Sequence, residues 1–233
     1  MTRRRLANGS WGDRINRNVY NLNSFCLDWL EFEGRFDMPK LKRCEIVPEK
    51  LFPFDERNKY REGDGAIAFY CEDGEFESVW LRANRYPHMP AIVSHAGVSL
   101  TPDFSLYTDY PVATQIWNVY RTRLLGALWQ SQGIDVIPSV SWGDEHSLEW
   151  CFDGLPSGGT IAISTCHVRR PDHEGFLQGF KAMLLRCNPE TVLVYGRGLK
   201  GQLEQLANVR RYDSRLTQIY EQRRLPLEAI KST

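Results

Sequence analysis

Short apolar runs alternate with helix-like segments from residue 64 onward, and this alternation limits the fold more than any other feature of the sequence. The apolar runs are Ala66–Cys71, Val98–Leu100, Val136–Val140, Thr160–Ser164 and Thr191–Tyr195. Their lengths are typical of strands, whereas the segments between them repeat apolar residues every three or four positions, as helices do. Continuous apolar strands that alternate with helices favour a parallel sheet buried by helices.

The longest predicted helix covers residues 112–132, where Pro111 fits its start and Gly133 the position just past its end. Its apolar stripe consists of Ile116, Tyr120, Leu124 and Leu128. Shorter helices are predicted at residues 147–152, 176–186 and 199–206. Past Asn208 the chain is rich in arginine, and we expect a last strand or a solvated helix there.

These patterns predict an α/β fold with a mostly parallel sheet of about five strands and helices on both faces. About five strands are too few for a complete eight-stranded barrel. Before residue 64, aromatic and charged residues mix without a clean period, apart from a short predicted helix at Asn23–Phe32. We therefore expect an irregular N-terminal extension at residues 1–63 and an α/β domain at residues 64–233.

Composition narrows the class of protein. The chain of 233 residues has 29 basic and 29 acidic side chains, so bulk charge does not attract nucleic acid, although a local basic patch remains open. No apolar stretch approaches the ~18 residues of a membrane span, and the basic N-terminus lacks the apolar segment of a signal peptide. The six cysteines form no Cys-x-x-Cys pair. We expect a reduced, cytoplasmic protein with no membrane partner.

Ligands of open α/β sheets bind beyond the carboxyl ends of the strands, and Asp103 and Asp109 lie in the loop after the Val98–Leu100 run. Two carboxylates in one loop can bind a hard divalent cation, Mg²⁺ or Mn²⁺. Such a cation would polarise a phosphoryl oxygen or activate a bound water. The structural alternative is that Asp103 caps a turn and Asp109 complements the dipole of the following helix.

A second loop, Trp142-Gly143-Asp144-Glu145-His146, follows the Val136 run. Asp144 is a candidate general base, and its alternative role is the N-cap of the predicted helix at residue 147. Trp142 either packs in the core or stacks on a ligand.

Arginines supply candidate anion-binding groups. Arg121 on the long helix fits bidentate contact with phosphate or carboxylate, or an ion pair with Asp103 or Asp109. Arg123 is expected on a solvated face. Arg197 lies in Gly196–Gly201, a glycine-rich turn between a predicted strand and a predicted helix, whose backbone N–H groups could cradle a phosphate. The alternative is a turn that only ends the strand.

Between about residues 95 and 200 the chain resembles domain-of-unknown-function family 4417. The matching motifs are Pro102-Asp103-Phe104-Ser105, Tyr107, Asp109, Pro111, Tyr120-Arg121, Arg123, Trp129-Gln130, Gly133, Val136-Ile137-Pro138, Trp142 and Phe152-Asp153-Gly154. The resemblance implies an intracellular protein of a phage or mobile element, hence the cytoplasm of a bacterial host. It implies no mechanism.

Together the residues support two hypotheses with a specific function, beside a third in which the protein is an accessory scaffold whose sheet ends only pack. In the first, the protein is an enzyme for metal-assisted phosphoryl transfer or hydrolysis on a nucleotide or nucleic acid. Its catalytic candidates are Asp103, Asp109 and Asp144, with Asp103 and Asp109 as metal ligands, and its binding candidates are Ser105, Arg121, Trp142 and Arg197. In the second, it is a non-enzymatic accessory protein that binds nucleic acid or a host protein through its arginine-rich termini.

Overall fold

This computed structural model describes residues 27, 29–59, 65–82, 97–215 and 217–219, which contain nine strands, three α-helices with complete bounds, and further helical residues at 215 and 217–219. The strands are β1 (Phe32–Glu33), β2 (Met38–Pro39), β3 (Leu51–Pro53), β4 (Gly65–Ala68), β5 (Gly97–Leu100), β6 (Asp135–Ile137), β7 (Thr160–Ser164), β8 (Thr191–Tyr195) and β9 (Val209–Tyr212). The α-helices are α1 (Asp73–Arg82), α2 (Val112–Ser131) and α3 (His173–Cys187). Short 3₁₀ helices occupy Phe54–Lys59, Glu145–Glu149 and Arg170–Asp172.

Seven of the strands run parallel. They form a four-stranded sheet in the order β3-β4-β5-β6 and a three-stranded sheet in the order β7-β8-β9. A parallel bridge between Ser139 and Ala162 joins the two sheets just past the end of β6. The spatial order of these strands is thus their order along the chain. The remaining strands, β1 and β2, form an antiparallel hairpin.

The joined sheets curve until their outer strands meet. The Tyr212 hydroxyl on β9 donates to the Pro48 carbonyl just before β3, and Arg215 forms ion pairs with Asp55 and Glu56 just after β3. A groove of about 550 Å³ separates the facing strands. The seven strands therefore form an open barrel, in which side-chain contacts join the β3 side to the β9 side.

Side chains that point alternately to the two faces of each strand form two cores, one inside the barrel and one outside it. The inner core takes at least one residue from each parallel strand: Leu51, Ala66, Ala68, Leu100, Ile137, Ala162, Leu193, Tyr195 and Tyr212. The residues between them point outward. Ile67 and Val136 pack against α1 and α2, whereas Ile161 and Val192 pack with α2 and α3. Successive side chains of a strand point to opposite faces, so one strand supplies both cores.

Helix α2 is buried on more sides than its apolar stripe predicts. Gln115, Asn118 and Thr122, which are not part of that stripe, are also buried. The prediction that Arg123 lies on a solvated face is wrong, because its side chain is fully buried. Its guanidinium donates to the carbonyls of Cys151, Asp153 and Ser139 at 2.8, 3.3 and 3.4 Å, and burial lowers its pKa to about 10. Backbone carbonyls take the place of water around this charge.

The structure confirms the α/β class with parallel strands. The parallel strands number seven rather than about five, and the three described α-helices all pack against the outward-facing residues. Residues 199–206 form turns instead of the predicted helix, and the predicted helix at 23–32 falls largely outside the described residues. β3 precedes residue 64, so the expected extension contributes a strand to the sheet; the division at residue 64 stays a prediction.

Candidate functional site

A cavity of about 620 Å³ opens at the carboxyl ends of the parallel strands, where ligands of such folds bind. The loops after β5, β6 and β7 and the first turns of α3 form its walls. The polar side chains that line it include Asp103, Ser105, Ser141, Ser164 and His167, and the aromatic ones are Tyr107, Trp142 and Phe176. Its volume matches that of typical small-molecule sites.

Asp103 is the carboxyl group with the most perturbed acidity in this cavity. Burial, and second to it the nearby charge of Asp73, raise its pKa from 3.8 to about 7. A hydrogen bond with the Ser141 side chain and the charge of Arg123 oppose this rise. Removing a carboxylate from water favours its protonated form, so Asp103 exchanges its proton near neutral pH.

Ser105, two residues after Asp103, binds the carboxylate of Asp73. Its amide donates to the Asp73 carboxylate oxygens at 3.1 and 3.3 Å, and its hydroxyl donates to Oδ1 at 2.9 Å. The Ser105 carbonyl in turn accepts a bond of 2.6 Å from the Asn118 amide group on α2. These bonds tie the loop after β5 to the start of α1 and to α2, which holds the Asp73 charge near Asp103.

Arg121 lies outside the cavity and bonds to Asn118, the residue that binds the Ser105 carbonyl. It donates to both carboxylate oxygens of Glu77 at 2.7 and 2.9 Å and to Asn118 at 3.1 Å. Its guanidinium also lies 3.7 Å from the centre of the Phe104 ring. The sequence suggested a partner in Asp103 or Asp109, but the observed partner is Glu77, so Arg121 joins α1 to α2.

Two stacked tyrosines connect the inner core to the strand ends. The rings of Tyr70 and Tyr195 lie 5.0 Å apart, and the Ser139 hydroxyl donates to the Tyr70 hydroxyl at 2.9 Å. Burial, with a further contribution from the charge of Asp103, raises the pKa of Tyr70 well above its ordinary value. Tyr70 therefore stays protonated.

Trp142 forms part of the cavity wall. Its ring packs at 4.8 Å from Phe176 on α3 and edge-on at 6.1 Å from Phe152. Gly179 permits this approach, because a Cβ atom there would lie 2.2 Å from the indole nitrogen. Trp142 thus packs against the core, which is one of its two predicted roles, and also lines the cavity; stacking on a ligand stays a prediction.

Besides Arg121, three predicted site residues lie away from the cavity lining. Asp109 is exposed in the turn before α2. Asp144 caps the 3₁₀ helix Glu145–Glu149, because its carboxylate accepts from the Ser147 amide at 3.2 Å. Arg197 forms a two-bond ion pair with Asp213 at 2.7 and 3.0 Å. Of the predicted residues, the structure brings Asp103, Ser105 and Trp142 together.

The expected metal site lacks a set of ligands. Within the described residues there is no group of three or more His, Cys, Asp or Glu side chains that could hold a metal ion. Asp103 lines the cavity and Asp109 does not, so the pair does not form one wall. A divalent cation therefore stays a prediction.

Sequence analysis missed several groups at the same edge. The candidates above do not include Asp73, Ser141, Ser164 or His167, although each of the two serines ends or directly follows an apolar run. Ser141, Ser164 and His167 line the cavity, whereas the Cys166 thiol, next to His167 in sequence, donates to the Tyr195 carbonyl at 3.7 Å. The described cysteines, Cys44, Cys71, Cys151, Cys166 and Cys187, are free thiols.

The fold and the cavity define a parallel α/β protein with an open barrel and a candidate ligand site at its carboxyl edge. The chain belongs to the family described as "Domain of unknown function (DUF4417)", whose model matches residues 30–213. This confirms the resemblance and extends it to β1–β4, which precede residue 95. No solved structure matches the chain.

Curated relatives are phage proteins. The chain is 37 % identical over 187 residues to the Gene 1 protein of Mycobacterium phage L5, covering 78 % of this chain and 80 % of the relative. It is 40 % identical over 169 residues to the Gene 1 protein of Mycobacterium phage D29, covering 70 % of this chain and 61 % of that relative. The expected phage setting agrees with these relatives. Among the described helices, none has the length and apolar character needed to cross a membrane.

Proposed function

We propose that this protein is an enzyme that uses Asp103 for acid–base chemistry on a molecule of nucleotide size. The observation that carries the proposal is a carboxyl group with a pKa of about 7 in a cavity at the carboxyl edge of a parallel sheet. Strongly shifted pKa values concentrate at functional sites.

The acidity of Asp103 suits proton transfer in both directions. A general acid or base works best when its pKa lies near the working pH, because both protonation states are then populated. The ionised carboxylate would remove a proton from a water molecule or a substrate hydroxyl, and the resulting carboxyl group would return that proton to the leaving group. This supports hydrolysis as the reaction class.

Acid–base chemistry has more support than the metal-assisted phosphoryl transfer suggested by the sequence. The described residues supply no metal-ligand set, and Asp109 lies outside the cavity lining. Nucleotides and nucleic acids remain the first compounds to test, because the cavity has the right volume and three aromatic side chains. Magnesium and manganese belong in the assay as separate conditions.

The accessory-protein alternative has less support in the arginine-rich C-terminal part. Arg197, Arg211 and Arg215 each form an ion pair with an acidic side chain. Paired guanidinium groups attract phosphate less than free ones do, so these arginines do not form a free cationic stripe. The arginines of residues 1–26 lie outside the described residues.

The test is a turnover screen with a matched variant. Wild-type protein and Asp103→Asn are incubated with nucleosides, nucleotides and short oligonucleotides, each with EDTA, Mg²⁺ or Mn²⁺, and products are followed by chromatography. We expect turnover of at least one compound, with a pH dependence centred near 7, and a loss of ~100-fold or more in the variant. Turnover that survives in Asp103→Asn, or no turnover of any compound, would contradict the proposal.

A further inference from the structure

We infer that the cavity takes an uncharged nucleobase-bearing compound, a nucleoside, and selects against the phosphorylated forms of the same compound. The inference rests on the proposed function, because it takes the cavity at Asp103 as the substrate site. It replaces a general nucleotide with one chemical class.

The charges in the cavity argue against a phosphate group. Among the described residues that line it, none is a lysine or an arginine, the side chains that usually bind phosphate. Two are acidic, Asp103 and Asp172, and the remaining titratable group with basic character is His167. A phosphate monoester carries up to two negative charges and would meet repulsion here.

The residues that adjoin the lining do not supply an excess of positive charge. Asp109, Asp144 and Glu174 directly adjoin lining residues in sequence and are exposed. The basic residues in equivalent positions are Arg169 and Arg170 on the loop after β7, and His173 at the start of α3. The lining and the adjoining residues together therefore supply five acidic groups against two arginines and two histidines.

The start of α3 also lacks the free positive end that an anion would need. Asp172 immediately precedes the helix and Glu174 lies in its first turn. Acidic side chains at a helix start complement its dipole, so the protein already supplies negative charge at this point.

The aromatic side chains favour a flat ring instead. Trp142 and Phe176 form one contiguous wall, with ring centres 4.8 Å apart. Tyr107 lines the same cavity and is 54 % exposed, so its ring is available to a ligand. Stacking of a base on an aromatic side chain contributes about 1–3 kcal/mol and requires no charge.

The polar groups suit the edge of a base. The carboxyl group of Asp103 and the hydroxyls of Ser141 and Ser164 line one cavity with the aromatic wall. Carboxyl and hydroxyl groups bind the amino and ring-nitrogen groups of bases, and enzymes that act on bases combine such bonds with stacking. A nucleoside meets both requirements without a phosphate.

The experiment compares each nucleoside with its own 5′-monophosphate. Isothermal titration calorimetry on the wild-type chain uses adenosine, guanosine, cytidine and uridine, the four monophosphates, and inorganic phosphate. We expect at least one nucleoside to bind, and to bind about tenfold or more tightly than its monophosphate. Tyr107→Ala and Trp142→Phe should weaken that binding about threefold to tenfold. Leu185→Ala, at an exposed apolar residue of α3 outside the cavity lining, should leave it unchanged.

A charge-adding variant tests the selectivity directly. Thr108 is exposed and lines the cavity, so Thr108→Lys adds a cation without burying it. The variant should bind the monophosphate several-fold more tightly than wild type does, with nucleoside affinity little changed. Equal or tighter binding of the monophosphate by wild type, or no nucleoside binding at all, would overturn the inference.

The two proposals fail in different ways. Asp103-dependent turnover of phosphorylated compounds, without nucleoside binding, would leave the enzyme proposal standing and reject the nucleoside inference. Selective nucleoside binding without turnover of any compound would uphold the inference and reject the enzyme proposal.

Discussion

Ser105 holds the Asp73 carboxylate with its amide and its hydroxyl, although the two residues are 32 positions apart in the chain. The bonds fix a negative charge at the start of α1, close enough to Asp103 to raise its pKa. Asp73 is thus the hydrogen-bond acceptor of the pair, and Asp103 is the carboxyl group whose pKa is raised.

Replacing Asp73 should therefore change the acidity of Asp103. In Asp73→Asn, we expect the pKa of Asp103 to fall below about 7, because the neighbouring charge is gone while burial remains. Carbon-13 NMR titration of the Asp103 carboxyl group measures this. Glu75→Gln is the control, since it removes the same charge from an exposed position of α1 and should leave the titration unchanged.

Ionisation of Asp103 should cost stability as the pH rises. Its pKa is about 7 in the folded chain and near 3.8 when unfolded, so the folded state binds more protons between these values. Stability from this group is fully present below pH ~4 and declines up to pH ~7. Asp103→Asn should raise the free energy of unfolding at pH 8 by up to about 4 kcal/mol. Urea denaturation at pH 5 and pH 8 tests this: an equal effect at both pH values would count against the shifted acidity.

Arg121 should not tolerate lysine. Lysine keeps the charge but cannot bond Glu77 and Asn118 through separate nitrogens, and it loses the planar stacking on Phe104. Arg121→Lys should therefore lower the free energy of unfolding by about 1–2 kcal/mol. Arg197→Lys, in an exposed ion pair, should cost less than about 0.5 kcal/mol. Similar losses in the two variants would show that the Arg121 network adds little.

Two glycines on α3 should respond in opposite directions to alanine. Gly179→Ala places a Cβ atom 2.2 Å from the Trp142 ring and should cost about 1–3 kcal/mol while displacing that ring. Gly175→Ala meets no atom within 4 Å and should gain up to about 1 kcal/mol from helix propensity. Thermal unfolding and tryptophan fluorescence report both effects. A neutral Gly179→Ala would mean that Trp142 is not tightly packed.

Asp144 should behave as a helix cap. Asp144→Ala removes the acceptor for the Ser147 amide and should cost about 1 kcal/mol, whereas Asp144→Ser keeps an acceptor and most of that stability. Chemical denaturation of both variants, with Glu145→Ala as an exposed neighbour for comparison, measures the difference. A loss of turnover in Asp144→Ser without a loss of stability would instead favour a catalytic role.

The sequence predicts secondary structure best in strands that are apolar along their whole length. The bounds of β7 and β8 were predicted to the residue, because both faces of these strands are buried and the apolar run is continuous. β3 has three residues and includes a proline, and α1 begins with acidic residues, so neither gives a periodic signal. Such elements are stabilised by contacts with distant parts of the chain, which no local pattern contains.

The candidate site could likewise be predicted only in part. The strand-end rule placed Asp103 and Trp142 correctly at the cavity, because topology alone brings carboxyl ends together. The partners of Arg121 and Arg123 depend on which helix and which carbonyls lie opposite, and charge alone predicted solvent for Arg123. Sequence spacing does not determine such three-dimensional pairings.

The side-chain contacts that close the barrel set the order in which the chain can finish folding. Neighbouring strands are also neighbours in sequence, so sheet pairing can proceed as the polypeptide leaves the ribosome. The bond from Tyr212 to Pro48 spans 164 positions, and at ~5–20 residues per second its two ends are synthesised on the order of ten seconds or more apart. During that interval the outer edge of β3 lacks the side-chain contacts from β9 and Arg215, and a chaperone or another nascent chain could pair with it.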